Sequence, residues 1–166
     1  MLGALLALVL SAGEPPAGDP VEALTHYTVK SIVLRVPSEW KQSQADGTHR
    51  FDDPAGSAYL LLDVGAVQTA RMKPQVCLQK LLGAMGNEGW KPLKVDRAPA
   101  ARRVDSDTTP DGAESVETVR YVGCDGKTSW SLVLHMDARQ KDRFETLMAK
   151  VAGSVAYAKS AAKKGK

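Results

Sequence analysis

Residues 114–136, ESVETVRYVGCDGKTSWSLVLHM, decide the reading of this chain. Residues 114–123 and 128–136 are two runs of strand-forming residues, and the Asp125-Gly126 step between them is turn chemistry. In the second run Trp130, Leu132, Leu134 and Met136 recur at every second position, so all four face one side of a sheet. Working backwards, residues 102–107 and 90–97 read as two further strands, with joints at Pro99 and at Pro110-Asp111-Gly112. Working forwards, Asp137 with Gln140 resembles a capping box. Phe144, Leu147, Met148, Val151 and Val155 then supply the apolar face of a closing helix.

The first half adds the remaining elements. Residues 27–36 alternate, with Ile32, Leu34 and Val36 on one face and Ser31 and Arg35 on the other, which predicts one half-buried strand. Pro37 ends it, and Ser38-Glu39-Trp40 reads as a turn that brings an aromatic ring to the core edge. A short strand over 48–52 and a turn over 53–56 follow. Residues 58–64 are apolar on both faces, as a central strand covered on each side would be. Pro74 opens a helix whose Leu78, Leu81, Leu82 and Met85 form one stripe, stopped by Gly86-Asn87 and Gly89, with Cys77 beside it. The order strands, helix, antiparallel strands, helix predicts an α+β fold, a central antiparallel sheet with helices packed on its faces. No internal repeat is visible.

Length and composition set the outer bounds. With 166 residues, 43% of them hydrophobic, there is material for one core. The formal charge of +3 is mild. Much of it sits in Lys159, Lys163, Lys164 and Lys166, so no domain-wide basic footprint points to nucleic acid. Residues 2–10 are almost wholly apolar, and a small-residue run Ser11-Ala12-Gly13 precedes Pro15 and Pro16, the pattern of a signal peptide and its cleavage site. The run is shorter than the roughly 20 residues that a spanning helix needs. The expected organisation is a signal peptide over 1–13, a linker over 14–25, one domain over 26–158 and a basic flexible tail over 159–166. Export to the periplasm or the cell exterior follows, and the only two cysteines, Cys77 and Cys124, are expected to pair there.

At this point the chain resembles the superfamily of the photosystem PsbP proteins, the DcrB-like bacterial envelope proteins and a eukaryotic Ran-binding nuclear import factor. The resemblance lies in the order of landmarks: Val36-Pro37-Ser38-Glu39-Trp40, then Phe51-Asp52-Asp53-Pro54, the strand through Leu62 and the helix at Pro74. A long meander through Tyr121 and Trp130 and a terminal helix through Phe144 and Leu147 complete it. It implies a PsbP-like α/β/α sandwich. It also implies a non-enzymatic accessory or binding role, with no catalytic residues to carry over. The cysteine pair is not part of the family pattern.

Candidate chemistry is sparse. His26, His49 and His135 stand at no metal-ligand spacing. Residues 105–112 alternate carboxylates like a calcium loop, but Pro110 takes the place of the required glycine and Val116 that of the bidentate glutamate. A polar hairpin end is the expectation there. Asp52 and Asp53 are neighbours that in extended chain face opposite sides, so they cannot share a substrate atom, and they read as the entry to the turn at Pro54. There is no G-x-S-x-G, P-loop or dinucleotide fingerprint. The sequence thus predicts no catalytic residue, metal or cofactor. It predicts an exported binding or accessory protein of the cell envelope that meets a protein partner or an apolar ligand through loops at the sheet ends. Trp40, Trp90, Arg102 and Arg103 are the candidate anchors. A small secreted hydrolase with a loop-built site is the alternative. The tail lysines could add a weak contact with an anionic surface, at roughly 1 kcal/mol each.

Overall fold

A computed structural model describes residues 22–67, 72–108 and 115–158. The main sheet holds seven strands: β3 (Lys41–Ala45), β4 (Thr48–Asp52), β5 (Ala58–Ala66), β6 (Lys91–Val95), β7 (Ala98–Thr108), β8 (Ser115–Cys124) and β9 (Thr128–Asp137). Their spatial order is β3-β4-β5-β9-β8-β7-β6, and every neighbouring pair is antiparallel. A small second sheet, in the order β1-β2-β10, joins β1 (Leu24–Val29), β2 (Ile32–Pro37) and β10 (Ala156–Tyr157). Helices α1 (Pro74–Ala84) and α2 (Lys141–Gly153) lie on opposite faces of the main sheet.

One face of the main sheet carries the principal core. Phe51, Leu60, Leu62, Leu132, Leu134 and Met136 meet Ile32 and Leu34 of the small sheet and Phe144, Met148 and Val151 of α2. Phe144 is fully buried. Burial of such a side chain contributes about 1.5–3 kcal/mol, so α2 is held by its stripe. The opposite face is thinly covered. There Leu78 of α1 packs on Ala101 and Val122, and a Cys77–Cys124 disulfide bolts the helix to the end of β8. The fold class expected from the sequence is the one observed.

Several expectations are corrected in detail. Residues 27–36 are two strands of a hairpin, Leu24 facing Pro37 and Val29 facing Ile32. The turn falls at Lys30-Ser31, with Lys30 at φ +51°, and carries none of the usual glycine or asparagine signals. Apolar alternation runs straight through it. Strand β3 is an addition to the elements expected from the sequence: all five of its residues are exposed, so it shows no apolar alternation. It is joined to β4 by Asp46-Gly47, both at positive φ, the conformation a tight hairpin needs. The joint before β7 is Asp96-Arg97, also at positive φ, while Pro99 lies inside β7 opposite Lys94.

Both helices also depart from expectation. The stripe of α1 is only partly buried: Leu78 is, Leu81 and Leu82 are half-buried, and Met85 is 37% exposed. No capping box forms at α2. Asp137 accepts from the Arg139 amide to cap a short 3-10 turn over Ala138–Gln140, and Gln140 reaches Ser57. Strand β1 opens at Leu24.

Candidate functional site

Where β2 ends, the Pro37–Trp40 turn folds back, the Trp40 amide donating to the Pro37 carbonyl at 3.4 Å. The indole meets the ring of Phe144 edge-on, with centroids 6.0 Å apart. After β4 a second turn closes around Asp53. Its carboxylate accepts the Ser57 amide at 3.1 Å, and Gly56, at φ +72°, lets the chain reverse. These two turns and the first turn of α2 enclose a cleft of about 370 Å³. Pro37, Pro54, Ala23, Ala55 and Trp40 supply apolar walls.

The charges of this cleft are unevenly matched. Arg143 lies over the Phe144 ring at 4.7 Å and donates to Glu22 Oε1 at 2.5 Å. Its Nη2 stands 3.9 Å from Asp53 Oδ1, too far for a hydrogen bond. The Asp53 side chain is only 2% exposed. Glu22 Oε2 is buried without a hydrogen-bond partner among the described residues. Glu39 also lines the cleft, so among the described residues three carboxylates face one guanidinium.

A second surface lies on the half of the sheet that α1 leaves uncovered. Register places Asp52, Tyr59, His135, Thr118 and Asp105 in one row across five strands. Arg50 lies 4.0 Å over the Tyr59 ring, Tyr59 stacks on His135 at 4.7 Å, and Thr118 Oγ1 is 3.0 Å from His135 Nδ1. Burial, with the positive charges of Arg120 and Arg50, holds the His135 imidazole below its ordinary pKa. Thr118 is a poor nucleophile here because it is 3% exposed. Asp105, the carboxylate next in the row, is bound by Arg103 and Arg120. This cluster lacks the nucleophile–base–orienter geometry of a hydrolase.

The four anchors expected from the sequence fall into two groups. Trp40 lies in the cleft and is mostly buried. Arg102 points to the same side of the sheet, pairs with Glu145 of α2 and lies 5.9 Å over the Tyr121 ring. Trp90 and Arg103 come together on the opposite side. Arg103 covers the Trp90 ring at 4.8 Å and donates to the Met85 carbonyl, while the Trp90 indole donates to the Gly86 carbonyl at 2.7 Å. These contacts staple the loop after α1 to β7. The calcium-loop stretch reaches into 109–112, and these residues, the tail lysines and the segment expected to be a signal peptide lie outside the described residues. Among the described residues no three histidine, cysteine or acidic side chains are placed to hold a metal ion together.

No family model matches the chain, and no curated protein matches it in sequence. Solved structures do match. LpqN of Mycobacterium tuberculosis, involved in cell envelope biogenesis, aligns over 86% of this chain and 87% of its own at 14% identity, with a TM-score of 0.57. The Ran-binding protein Mog1p of Saccharomyces cerevisiae aligns over 82% and 96% at 11% identity, with a TM-score of 0.53. The fold resembles theirs. A protein of Bacteroides thetaiotaomicron reaches a TM-score of 0.61 at 10% identity, over 78% of this chain, which spans 46% of that longer one. The fold-level resemblance expected from the sequence is thus seen in the structure, with a Ran-binding protein among those that share the fold. Among the described residues no helix is long and apolar enough to cross a membrane.

Sequence reasoning missed Glu22 and Arg143 altogether and took Asp53 as turn material. Glu22 had been assigned to a linker, and Arg143 carries no motif. The sequence marks the 38–40 and 53–56 turns separately, and only the fold brings them together.

Proposed function

We propose that the protein is an exported, non-catalytic binding or accessory module of the cell envelope whose recognition site is the Trp40 cleft. The observation that carries this reading is the cleft itself: apolar walls around partly unmatched polar groups, at loops that a rigid sheet and α2 hold in place. The envelope neighbour LpqN and the Ran-binding neighbour Mog1p support a binding role by analogy of fold. Export is supported by the Cys77–Cys124 disulfide, which persists in oxidising compartments.

The test is native co-purification from the envelope with the wild type and with Ala55→Trp. Ala55 is exposed at the cleft mouth, so an indole there fills the opening without entering the core. Partners retained by the wild type are expected to be lost by Ala55→Trp and kept by Arg102→Ala/Arg103→Ala. Retention of every partner by Ala55→Trp would remove the cleft from consideration. Turnover of a panel of esters, peptides or glycans by the purified protein would overturn the non-catalytic assignment.

A further inference from the structure

We infer that the Trp40 cleft takes a cationic side chain, a lysine or arginine presented by a protein partner; this rests on the cleft being the recognition site.

Charge is the first argument. Among the described residues Glu22, Glu39 and Asp53 line the cleft against Arg143 alone. Arg143 is committed: Nη2 donates to Glu22 Oε1, Nη1 donates to Gln140 Oε1 at 3.2 Å, and the guanidinium plane rests on Phe144. Asp53 Oδ1 is reached only as a loose ion pair at 3.9 Å, and Glu22 Oε2 has no hydrogen-bond partner among the described residues. A buried acceptor with no donor carries a desolvation cost that a hydrogen-bonding cation removes and an apolar ligand does not. An anion would add repulsion. The open valences of the cleft are therefore acceptors awaiting a charged donor.

Shape is the second argument. Carboxylates are approached past proline, alanine and indole surface, which suits a side chain with an aliphatic stem and a charged head. A small inorganic cation would leave that surface wet. The rim at Pro54, Ala55 and Gly56 is exposed and built of small residues, so the main chain of a partner can come close enough to send a side chain inward.

The experiment follows the Trp40 indole and Ala55 amide signals of the full, oxidised protein by heteronuclear NMR. The probes are the peptide Ac-Gly-Ala-Lys-Ala-Gly-NH₂ and its arginine, norleucine and glutamate counterparts. Saturable shifts from the lysine and arginine peptides, with norleucine at least about tenfold weaker, are expected. In Glu22→Gln/Asp53→Asn the lysine preference over norleucine should vanish. The introduced amide oxygens can still accept from Arg143 and Ser57, and unchanged core signals would show that the variant folds. Equal binding of norleucine and lysine would overturn the cation while leaving the cleft as an apolar site. No shift from any peptide would overturn both the cation and the cleft. Undiminished lysine preference in the double variant would show that these carboxylates are not the readers, and would also overturn the inference.

Discussion

Replacing both Cys77 and Cys124 by alanine should destabilise the domain by about 4 kcal/mol and release α1 before the rest. The bond spans 47 residues, and closing a loop of that length removes about 13.6 cal/mol/K from the unfolded chain, or about 4 kcal/mol at 25 °C. That is a large share of the roughly 5–15 kcal/mol typical of a domain. The local effect should exceed the global one, because α1 buries only Cys77 and Leu78 while Leu81 and Leu82 are half-covered. Urea unfolding followed by tryptophan fluorescence gives the global value, and amide exchange over α1 and β9 separates the helix from the core. A loss below about 1 kcal/mol, with α1 amides still exchanging as slowly as those of β9, would refute the view that the disulfide is the main anchor of the helix.

Leu147→Ala should cost about 2–5 kcal/mol in equilibrium unfolding, since the side chain is 7% exposed beside Pro37, Trp40 and Leu134. Met85→Ala, at a position 37% exposed, should cost less than about 0.5 kcal/mol. At Gly123 an added Cβ would stand 2.6 Å from the Trp130 ring, which its own hydrogen bond to the Tyr157 hydroxyl holds in place. Gly123→Ala should therefore lower stability by about 1–3 kcal/mol, read from the thermal midpoint together with the near-ultraviolet tryptophan signal. Burial raises the Tyr157 hydroxyl to about 12 from an ordinary 10. Between those values the unfolded chain has lost the proton that the folded chain keeps, so stability should fall as pH rises through that window. Tyr157→Phe should flatten this slope in urea titrations. His135 is displaced in the opposite sense. Its folded form resists protonation, so stability should decline as pH drops below about 6.5, and the imidazole carbon shifts of His135 should titrate below the free-histidine value.

The fold was legible wherever one face of an element is buried and the other is wet. Alternation in β9 and the stripe Phe144, Leu147, Met148 and Val151 of α2 report directly on the principal core. What was hidden lacks that contrast. The Lys30-Ser31 turn interrupts an unbroken alternation, and β3 has no buried residue at all, so only its hydrogen bonds to β4 make it a strand. The leucines of α1 mark an apolar stripe correctly, but how much of it a sheet covers depends on where the disulfide sets the helix down. At the site, Trp40 was visible as an aromatic at a turn. Its carboxylate neighbours come from residues 22 and 53, and only the tertiary arrangement of the β1–β2 hairpin, the Asp53 turn and α2 brings them to one cleft.

The two margins of the main sheet bear on what kind of company the molecule can keep. At one lies β3, five exposed residues reading Lys-Gln-Ser-Gln-Ala; at the other lies β6, with Lys91, Pro92 and Lys94 turned to water. Short length, lysine charge and a proline without an amide proton each discourage another backbone from hydrogen-bonding there. The sheet is thereby guarded against growth into fibrils and against strand-swapped pairing with its own copies. A visiting polypeptide is equally denied the easy grip of adding itself to this sheet as an eighth strand.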